Sequence, residues 1–359
     1  MFKLNRSLAV AAGCVALAAV AAAADTGWRD VLDTPAAKSP LAARTLVNGL
    51  ASAGKRFVAV GNRGHVLLSD DAGKTWQQAE VPVSSDLVAV SFPSATTGWA
   101  VGHDGIVLHS TDAGATWTRR LDGVRAGEAM VEYYTREQDG ALAADPKHAA
   151  AVLEDARRFA AQGDENPFLD VWFENEMSGY VVGAFGLVLH TTDGGKTWQP
   201  MLHAVDNPKA LHLYAVRGIG ADVYIAGEQG LLLKLDRASG RFRALELPYK
   251  GTLFGAIGNS RALVVFGLRG TVLRSADSGR TWQTVDTGVQ AGLTAGTLDA
   301  DGRFVIVSQA GHVLVSRDEG ATFKLAQVER PLPAAAVIGV AQNTVLVGGP
   351  RGIQTQTLP

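Results

Sequence analysis

Aspartate recurs in this sequence at a fixed place in a short motif, and a repeated carboxylate could serve in acid–base chemistry or as a hydrogen-bond acceptor. Four segments fit Ser/Thr-x-Asp-x-Gly-x-Thr-Trp, and a fifth has Phe in place of Trp. In a tight turn the carboxylate accepts backbone N–H groups, the glycine takes a conformation that other residues avoid, and the tryptophan anchors the next strand. We therefore expect these carboxylates to be structural and not available for proton transfer. The residues are Asp71, Trp76, Asp112, Trp117, Asp193, Trp198, Asp277, Trp282 and Asp318.

A second repeated feature, a glycine followed within two residues by a hydrophobic strand, sets the period of the chain. Its seven copies are separated by 41, 81, 44, 40, 41 and 41 residues. A period of about 40 residues made of short strands and turns is typical of a β-propeller with one blade per repeat. The sequence therefore predicts an all-β, seven-bladed β-propeller over residues 25–359. The glycines are Gly64, Gly105, Gly186, Gly230, Gly270, Gly311 and Gly352.

The last repeat is shorter than the others. Each repeat divides into four strands, but the seventh ends after three of them. The segment Trp28 to Leu32, preceded by Thr26 and Gly27, resembles the Thr-Trp strand starts of the other blades. We therefore predict that this N-terminal strand closes blade seven and joins the two ends of the ring.

The one long interval contains an insertion, residues 122–166, between blades two and three. Asp145 and Pro146 form a helix start, an apolar stripe follows, and Gly163 ends the helix. A shorter helix is predicted over Gly127 to Glu137. The segment has ten acidic and five basic residues, so we expect an acidic helical pair.

The insertion also marks one face of the propeller. The connection from an outer strand to the next inner strand emerges on the same face as the turns between strands two and three, whereas the aspartate motifs emerge on the opposite face. Elaborations on one rim of a regular scaffold usually carry function. The candidate partner-binding residues on this face are Arg63, His103, Asp104, Phe185, Glu228, Arg269 and Arg351, with Gln229 and Gln309 beside them.

Composition and the N-terminal sequence limit the class of protein to which this chain can belong. The 359 residues are 47% hydrophobic and 19% charged with a net charge of -2, which gives no reason to expect nucleic acid as a partner. Lys3 and Arg6 precede a short apolar run, and three alanines precede Asp25, so residues 1–24 are predicted to be a signal peptide and the protein periplasmic. The only cysteine, Cys14, lies inside this run, and we do not expect lipoprotein anchoring. The eight histidines lack metal-ligand spacing, so neither a metal nor a cofactor is expected.

The aspartate motif resembles the Asp-box of the bacterial neuraminidase repeat. The whole mature chain resembles the photosystem II stability and assembly factor family, through repeated Val-Gly-x-x-Gly cores such as Val60 to Leu67 and Val101 to Leu108. That resemblance implies a seven-bladed periplasmic or lumenal propeller whose arginine-bearing face docks a membrane-protein partner. Arg63, Arg269 and Arg351 match that face in position. We therefore expect a non-catalytic, monomeric scaffold for a membrane-protein complex or its assembly intermediate, which in a non-photosynthetic host could be an envelope transporter.

The alternative is a glycan-binding or sialidase-like glycoside hydrolase. Sialidases resemble this chain in the Asp-boxes, but they use six blades, an arginine triad, a Tyr/Glu pair and an aspartic acid. The three arginines could imitate the triad, with Tyr133 or Tyr134 beside Glu132 and Glu137 as the pair. That pair would have to come from a helical insertion, and no aspartate is singled out as the proton donor.

Overall fold

Seven antiparallel sheets follow one another around a central axis in the computed structural model, which describes residues 29–328 and 330–359. Six sheets have four strands and the seventh has three, each arranged in chain order from the axis outward. This confirms the predicted seven-bladed propeller. The inner strands surround a central channel of about 750 Å³.

The strands of blades one to four are β1 (Val47–Ala53), β2 (Arg56–Gly61), β3 (Val66–Ser69), β4 (Gln77–Gln78), β5 (Leu87–Ser91), β6 (Gly98–Gly102), β7 (Val107–Ser110), β8 (Thr118–Leu121), β9 (Phe168–Phe173), β10 (Gly179–Gly183), β11 (Val188–Thr191), β12 (Gln199–Pro200), β13 (Leu213–Ile219), β14 (Asp222–Gly227), β15 (Leu232–Asp236) and β16 (Arg241–Ala244). Those of blades five to seven are β17 (Leu253–Gly258), β18 (Leu263–Gly267), β19 (Val272–Ser275), β20 (Gln283–Val285), β21 (Leu293–Leu298), β22 (Phe304–Ser308), β23 (Val313–Ser316), β24 (Lys324–Leu325), β25 (Ala336–Ala341), β26 (Thr344–Gly349) and β27 (Gly352–Thr357).

The second strand of each blade is the most deeply buried. Every residue of β6, β10, β18 and β22 is buried, because neighbouring blades cover both faces of these strands. The glycine that ends such a strand allows a close backbone approach: a Cβ on Gly102 would lie 2.0 Å from the carbonyl oxygen of Asp86. The repeated Val-Gly pair is therefore a packing requirement of the blade.

Apolar cores fill the spaces between adjacent blades. Between blades two and three, the Trp99 ring stacks on Phe173 with centroids 4.4 Å apart. Near the channel, polar side chains link one inner strand to the next. Asn48 Nδ2 donates to the Leu87 carbonyl over 2.9 Å, and Thr294 Oγ1 donates to the Ala334 carbonyl over 2.7 Å.

The predicted insertion between blades two and three forms a pair of helices, α1 (Gly123–Glu137) and α2 (Pro146–Gln162). The second helix starts and stops as predicted, capped by Asp145 and ended by Gly163 at φ 66°. The first begins four residues earlier than predicted, because the Asp122 side chain accepts the Arg125 N–H and caps the helix there. No helix in the described ranges is long and apolar enough to cross a membrane.

The predicted N-terminal closure of blade seven is wrong for the residues that the structure describes. Val31 to Asp33 form a short 3-10 helix in which Asp30 caps the Leu32 N–H at 2.8 Å. This turn places Leu32 in the apolar core between blades one and two, and the Ser84 N–H donates to the Val31 carbonyl over 2.8 Å. Trp28 lies outside the described residues. Within residues 29–328 and 330–359, blade seven has three strands and packs directly against blade one.

Candidate docking face

The turns between strands two and three share one backbone conformation on the face that carries the insertion. In five blades a residue other than glycine adopts a left-handed conformation with φ between 53° and 60°. Residues other than glycine rarely adopt this region. The same turn presents arginine in two of the five blades and aspartate, phenylalanine or glutamine in the other three. The five residues are Arg63, Asp104, Phe185, Gln229 and Arg269.

Each turn is anchored to its own inner strand. The first residue of the turn donates its N–H to the carbonyl just before that strand, as His103 does to Asp86 over 2.9 Å and Leu268 to Thr252 over 3.0 Å. The ring therefore positions these side chains through backbone hydrogen bonds.

The arginines occupy one side of this face, which we call the basic arc: Arg44, Arg63, Arg269 and Arg351. All four side chains are exposed. Within the described ranges none of the four guanidinium groups has a hydrogen-bond partner or a carboxylate within 4.0 Å. Sequence reasoning missed Arg44, which ends a 3-10 helix next to Gly352 in blade seven. The only sequence feature that pointed to Arg44 was its position shortly before the first inner strand.

The acidic arc, defined by Asp104, Glu228 and the two helices, occupies blades two to four. Asp104 and Glu228 are half-buried, whereas His103 is exposed. Burial raises the pKa of Asp104, and the nearby Asp164 and Asp30 raise it further. Glu228 Oε2 accepts the His212 N–H over 2.9 Å. These two predicted contacts are therefore less accessible than the arginines.

Exposed apolar side chains collect on the same face. Of the seven large apolar side chains that are exposed in the described part of the chain, five belong here and two lie elsewhere, Met177 and Leu325. The five side chains belong to different turns and connections, so they add separate apolar contacts to this face. The five are Val31, Leu41, Val124, Phe185 and Leu268.

The Asp-box residues lie on the opposite face and bond to one another. Ser110 Oγ donates to Asp112 Oδ1 over 2.8 Å and accepts the Gly114 N–H over 2.9 Å. The Thr116 N–H and hydroxyl donate to the two carboxylate oxygens over 2.9 and 2.6 Å. The same bonds recur around Asp71, Asp193, Asp277 and Asp318.

These bonds stabilise the ionised carboxylates. Hydrogen bonds from Thr75 lower the pKa of Asp71 to about 2. The tryptophans follow the turn into the blade: Trp117 is buried and its Nε1 donates to the Gly114 carbonyl over 2.8 Å, and Trp198 is also buried. Trp76 and Trp282 are half-buried. A low pKa suits a hydrogen-bond acceptor and does not suit a proton donor at neutral pH.

The tyrosines that the glycosidase alternative requires lie away from the arginines. Tyr134 is fully buried and its hydroxyl lies 3.1 Å from His203 Nδ1. Burial raises the pKa of Tyr134, which opposes a nucleophilic role. The Tyr133 hydroxyl accepts a hydrogen bond from Gln199 Nε2 over 2.7 Å. The structure does not bring these residues together with Arg63, Arg269 and Arg351 as a catalytic group.

The inner strands contain a charged pair that sequence reasoning also missed. Asp170 is buried, accepts the Val216 N–H over 2.7 Å and pairs with Arg217, whose side chain borders the channel. An aspartate in the otherwise apolar run Phe168–Phe173 was the available signal. The pair links blades three and four.

One family of known proteins matches most of this chain. The family model of the photosynthesis system II assembly factor YCF48 matches residues 43–130 and 159–331. The chain belongs to this family. The YCF48 family match omits residues 131–158, so most of the helical pair lies outside the shared pattern.

Curated relatives of the YCF48 type match part of the chain. A photosystem II assembly lipoprotein Ycf48 of Synechococcus sp. (strain CC9902) is 27% identical over 44% of this chain and 48% of that protein. The chloroplastic photosystem II stability/assembly factor HCF136 of Oryza sativa subsp. japonica is 34% identical over 23% of this chain and 20% of that protein. The matches thus span about half or less of the relatives' length.

Solved structures share the fold over nearly the whole chain. YCF48 bound to D1 peptide has a TM-score of 0.63 at 16% identity and covers 88% of this chain and 94% of that one. YCF48 from Cyanidioschyzon merolae has a TM-score of 0.58 at 17% identity, with 90% and 98% covered. At these identities the likeness establishes the propeller fold alone.

Proposed function

We propose that this protein is an exported, non-catalytic scaffold that docks a membrane-protein complex, or an assembly intermediate of one, through the face carrying the insertion. The observation that carries the proposal is the basic arc. Its four exposed arginines have no acidic partner within the described ranges, and they share their face with five exposed apolar side chains. Arginine combined with apolar contact area is a typical composition of protein interfaces.

Family membership supports this role. The matched relatives are named as photosystem II assembly factors, and one solved relative was captured with a D1 peptide. We infer that the present chain acts on a comparable partner, a photosystem II membrane protein or, in a host without photosynthesis, an envelope complex such as a transporter. Its seven-bladed ring supplies a rigid platform and the turn residues supply the contacts.

We also propose that the protein works outside the cytoplasm as a monomer. The predicted signal peptide supports export, and two relatives carry the word lipoprotein in their names. Those names support export, but they do not support our expectation that Cys14 is free of a lipid anchor. That expectation, like the periplasmic location, stays a prediction.

The decisive experiment changes Arg63, Arg269 and Arg351 together to Glu and measures capture of crosslinked envelope proteins by mass spectrometry. We expect capture of the partner to fall at least tenfold, because exposed charges steer association, and the residual capture to vary with salt. Circular dichroism and melting should be unchanged, since exposed arginines away from packed features rarely affect stability by more than about 0.5 kcal/mol.

A matched control makes the same charge change on the opposite face. Lys74, Lys196 and Arg280 are exposed in the Asp-box turns, and changing them to Glu alters the net charge equally. This control should capture the partner normally. Equal losses in the two triple variants, or no loss in either, would contradict docking through the basic arc.

A further inference from the structure

The third strand of blade seven, β27, is the last of its sheet, whereas a fourth strand follows the third in the other six blades. In blade one the carbonyl of Val66, opposite the next-to-last residue of β2, accepts the Ala79 N–H over 2.9 Å. The same position has an outer partner in the other five four-stranded blades. Its counterpart in blade seven is Ile353, opposite Gly348. Among residues 29–328 and 330–359, β27 is thus the one third strand that forms the outer edge of its blade.

The backbone groups of Ile353 and Thr355 point outward from this edge. Gly348, which lies opposite Ile353, accepts the Ala335 N–H over 2.8 Å and therefore bonds toward the inner strand and away from β27. Alternate residues of an antiparallel strand bond to the same neighbour, so Thr355 has the orientation of Ile353. In the part of the chain that the structure describes, no hydrogen bond reaches the backbone of either residue from outside the sheet.

The edge of β27 lacks the features that usually protect a sheet edge. Proteins keep such edges short or place charged residues and proline on them. The outermost strands of the other six blades have only two to four residues, and four of them contain Arg, Lys or Pro. In contrast, β27 has six residues, Gly-Ile-Gln-Thr-Gln-Thr, without a charge or a proline. A long, uncharged edge is a template for another strand.

The outer strands of the other blades indicate which kind of segment fits this edge. Each runs antiparallel to the third strand of its blade. In blade five, residues 281–285 (Thr-Trp-Gln-Thr-Val) place the valine opposite Val272, the counterpart of Ile353. The glutamine lies opposite Arg274, the counterpart of Thr355. A short extended segment can therefore bond to both outward residues of β27 in this register.

An antiparallel strand added to β27 ends at the docking face. β27 starts at Gly352, directly after Arg351. A Cβ on Gly352 would lie 2.7 Å from the Arg44 Cα, so Arg44 is at the same end of the strand. The C-terminal end of the added segment thus comes close to two exposed guanidinium groups, which favour a carboxylate there. The open edge is continuous with the basic arc.

We propose that β27 binds an extended segment of the partner as a fourth strand of blade seven. The segment has an uncharged stretch along the edge and an acidic residue at its C-terminal side, next to Arg351 and Arg44. The inference rests on the proposed function, because the segment belongs to the partner that the basic arc docks. Main-chain hydrogen bonds along β27 supply affinity, and the arginines select the charge at the end of the segment.

A synthetic peptide tests this strand addition with the full propeller. The probe is fluorescein-labelled Thr-Trp-Gln-Thr-Val-Asp-amide, the sequence of residues 281–286, and fluorescence anisotropy at low salt measures binding. N-methylation of the glutamine and valine nitrogens removes the two donors that face Thr355 and Ile353. We expect this change to weaken binding at least about tenfold. N-methylation of the threonine between them is the matched control, since its N–H faces away from β27, and should leave binding unchanged.

Variants of the protein then locate the strand. Thr355→Pro removes the outward N–H that bonds to the added segment, and an edge strand tolerates proline where the N–H faces solvent. We expect a melting temperature similar to that of the parent and probe binding at least about tenfold weaker. Thr355→Ala keeps the N–H and should bind the probe as the parent does. The N-methylated peptides test the same bonds on the unaltered protein.

Three results would overturn the inference: no saturable binding of the probe, equal binding of the two N-methylated peptides, or full binding by Thr355→Pro. A dimer in light scattering that Thr355→Pro converts to a monomer would also overturn it, because a second copy of the chain would then cover the edge.

A neutral peptide separates this inference from the proposed function. With Asn in place of its aspartate, the probe should bind the triple arginine variant as well as it binds the parent, since only main-chain bonds along β27 remain. If it does and the triple variant still captures the membrane protein, only the basic-arc proposal fails. If the triple variant loses capture while the parent binds no peptide, only strand addition fails.

Discussion

The two rims of the propeller are built from the same blades but use their polar side chains differently. On the Asp-box rim, Ser110, Asp112 and Thr116 bond to one another, and the equivalent residues repeat this arrangement in four other blades. On the docking rim the turns repeat their backbone while the side chain varies among Arg, Asp, Phe and Gln, and the four arginines of the basic arc have no side-chain partner within the described ranges. Repeated side chains thus build the ring, whereas varied side chains on a repeated backbone are available for recognition.

The largest expected effect tests the Asp-box rim where blade six meets blade seven. Arg303 is buried, lies 2.6 Å from Asp299 Oδ2, and reaches Asn343 Oδ1 of the next blade over 2.8 Å. Removing one partner of a buried pair leaves the other charge uncompensated. We expect Arg303→Ala to lower the free energy of unfolding by about 3–5 kcal/mol, measured by urea titration.

The matched substitution on the docking rim is Arg269→Ala. Its side chain is exposed, so the free energy of unfolding should change by no more than about 0.5 kcal/mol. Similar losses for Arg303→Ala and Arg269→Ala would remove the distinction between the rims.

An intermediate effect is expected inside a single Asp-box. Ser110→Ala leaves the buried Gly114 N–H without its acceptor and takes one donor from Asp112. We expect a loss of about 1–3 kcal/mol, the cost of an unpaired buried group, seen as a lower urea midpoint. Ser110→Thr should retain most of the parent's free energy of unfolding, because Thr191 makes the same bonds in blade three. A failure of threonine to rescue would show that the hydroxyl is not the cause.

The smallest effect concerns pH. Burial alone would raise the pKa of Asp193, but bonds from Thr197 and Thr191 outweigh it and hold the pKa at about 2. A depressed pKa stabilises the fold above the unfolded-state value, which is about 4 for Asp, and this contribution disappears as the pH falls through the folded value. The melting temperature should therefore fall between about pH 4 and 2 as this contribution is lost. Asp193→Asn should reduce that fall only in part, because the other Asp-box carboxylates keep their lowered pKa, and a profile identical to that of the parent would contradict the assignment.

The repeats made the ring predictable from the sequence, whereas contacts between distant segments were not predictable. The glycine period and the Asp-boxes report local turns, so seven blades and the place of the insertion followed from spacing alone. The prediction of a closing strand was wrong. The sequence Thr26 to Val31 resembles a strand start, but in the structure Asp30 caps a turn that places Leu32 between blades one and two. The packing of α2 beside Phe185 could not be predicted, since it depends on how this helix folds back onto blade three.

The three-stranded seventh blade has a consequence for how the ring responds to its surroundings. Asn48 bridges blades one and two, Asp170 bridges three and four, and Arg303 bridges six and seven. Between the strands of blades seven and one the described residues form no hydrogen bond, and their contacts include apolar packing, such as Trp76 near Ile353. Apolar burial weakens on cooling and strengthens with sulfate. We therefore expect this junction to loosen in the cold, and to tighten in strongly salting-out solutions, more than the three junctions that these side chains bridge.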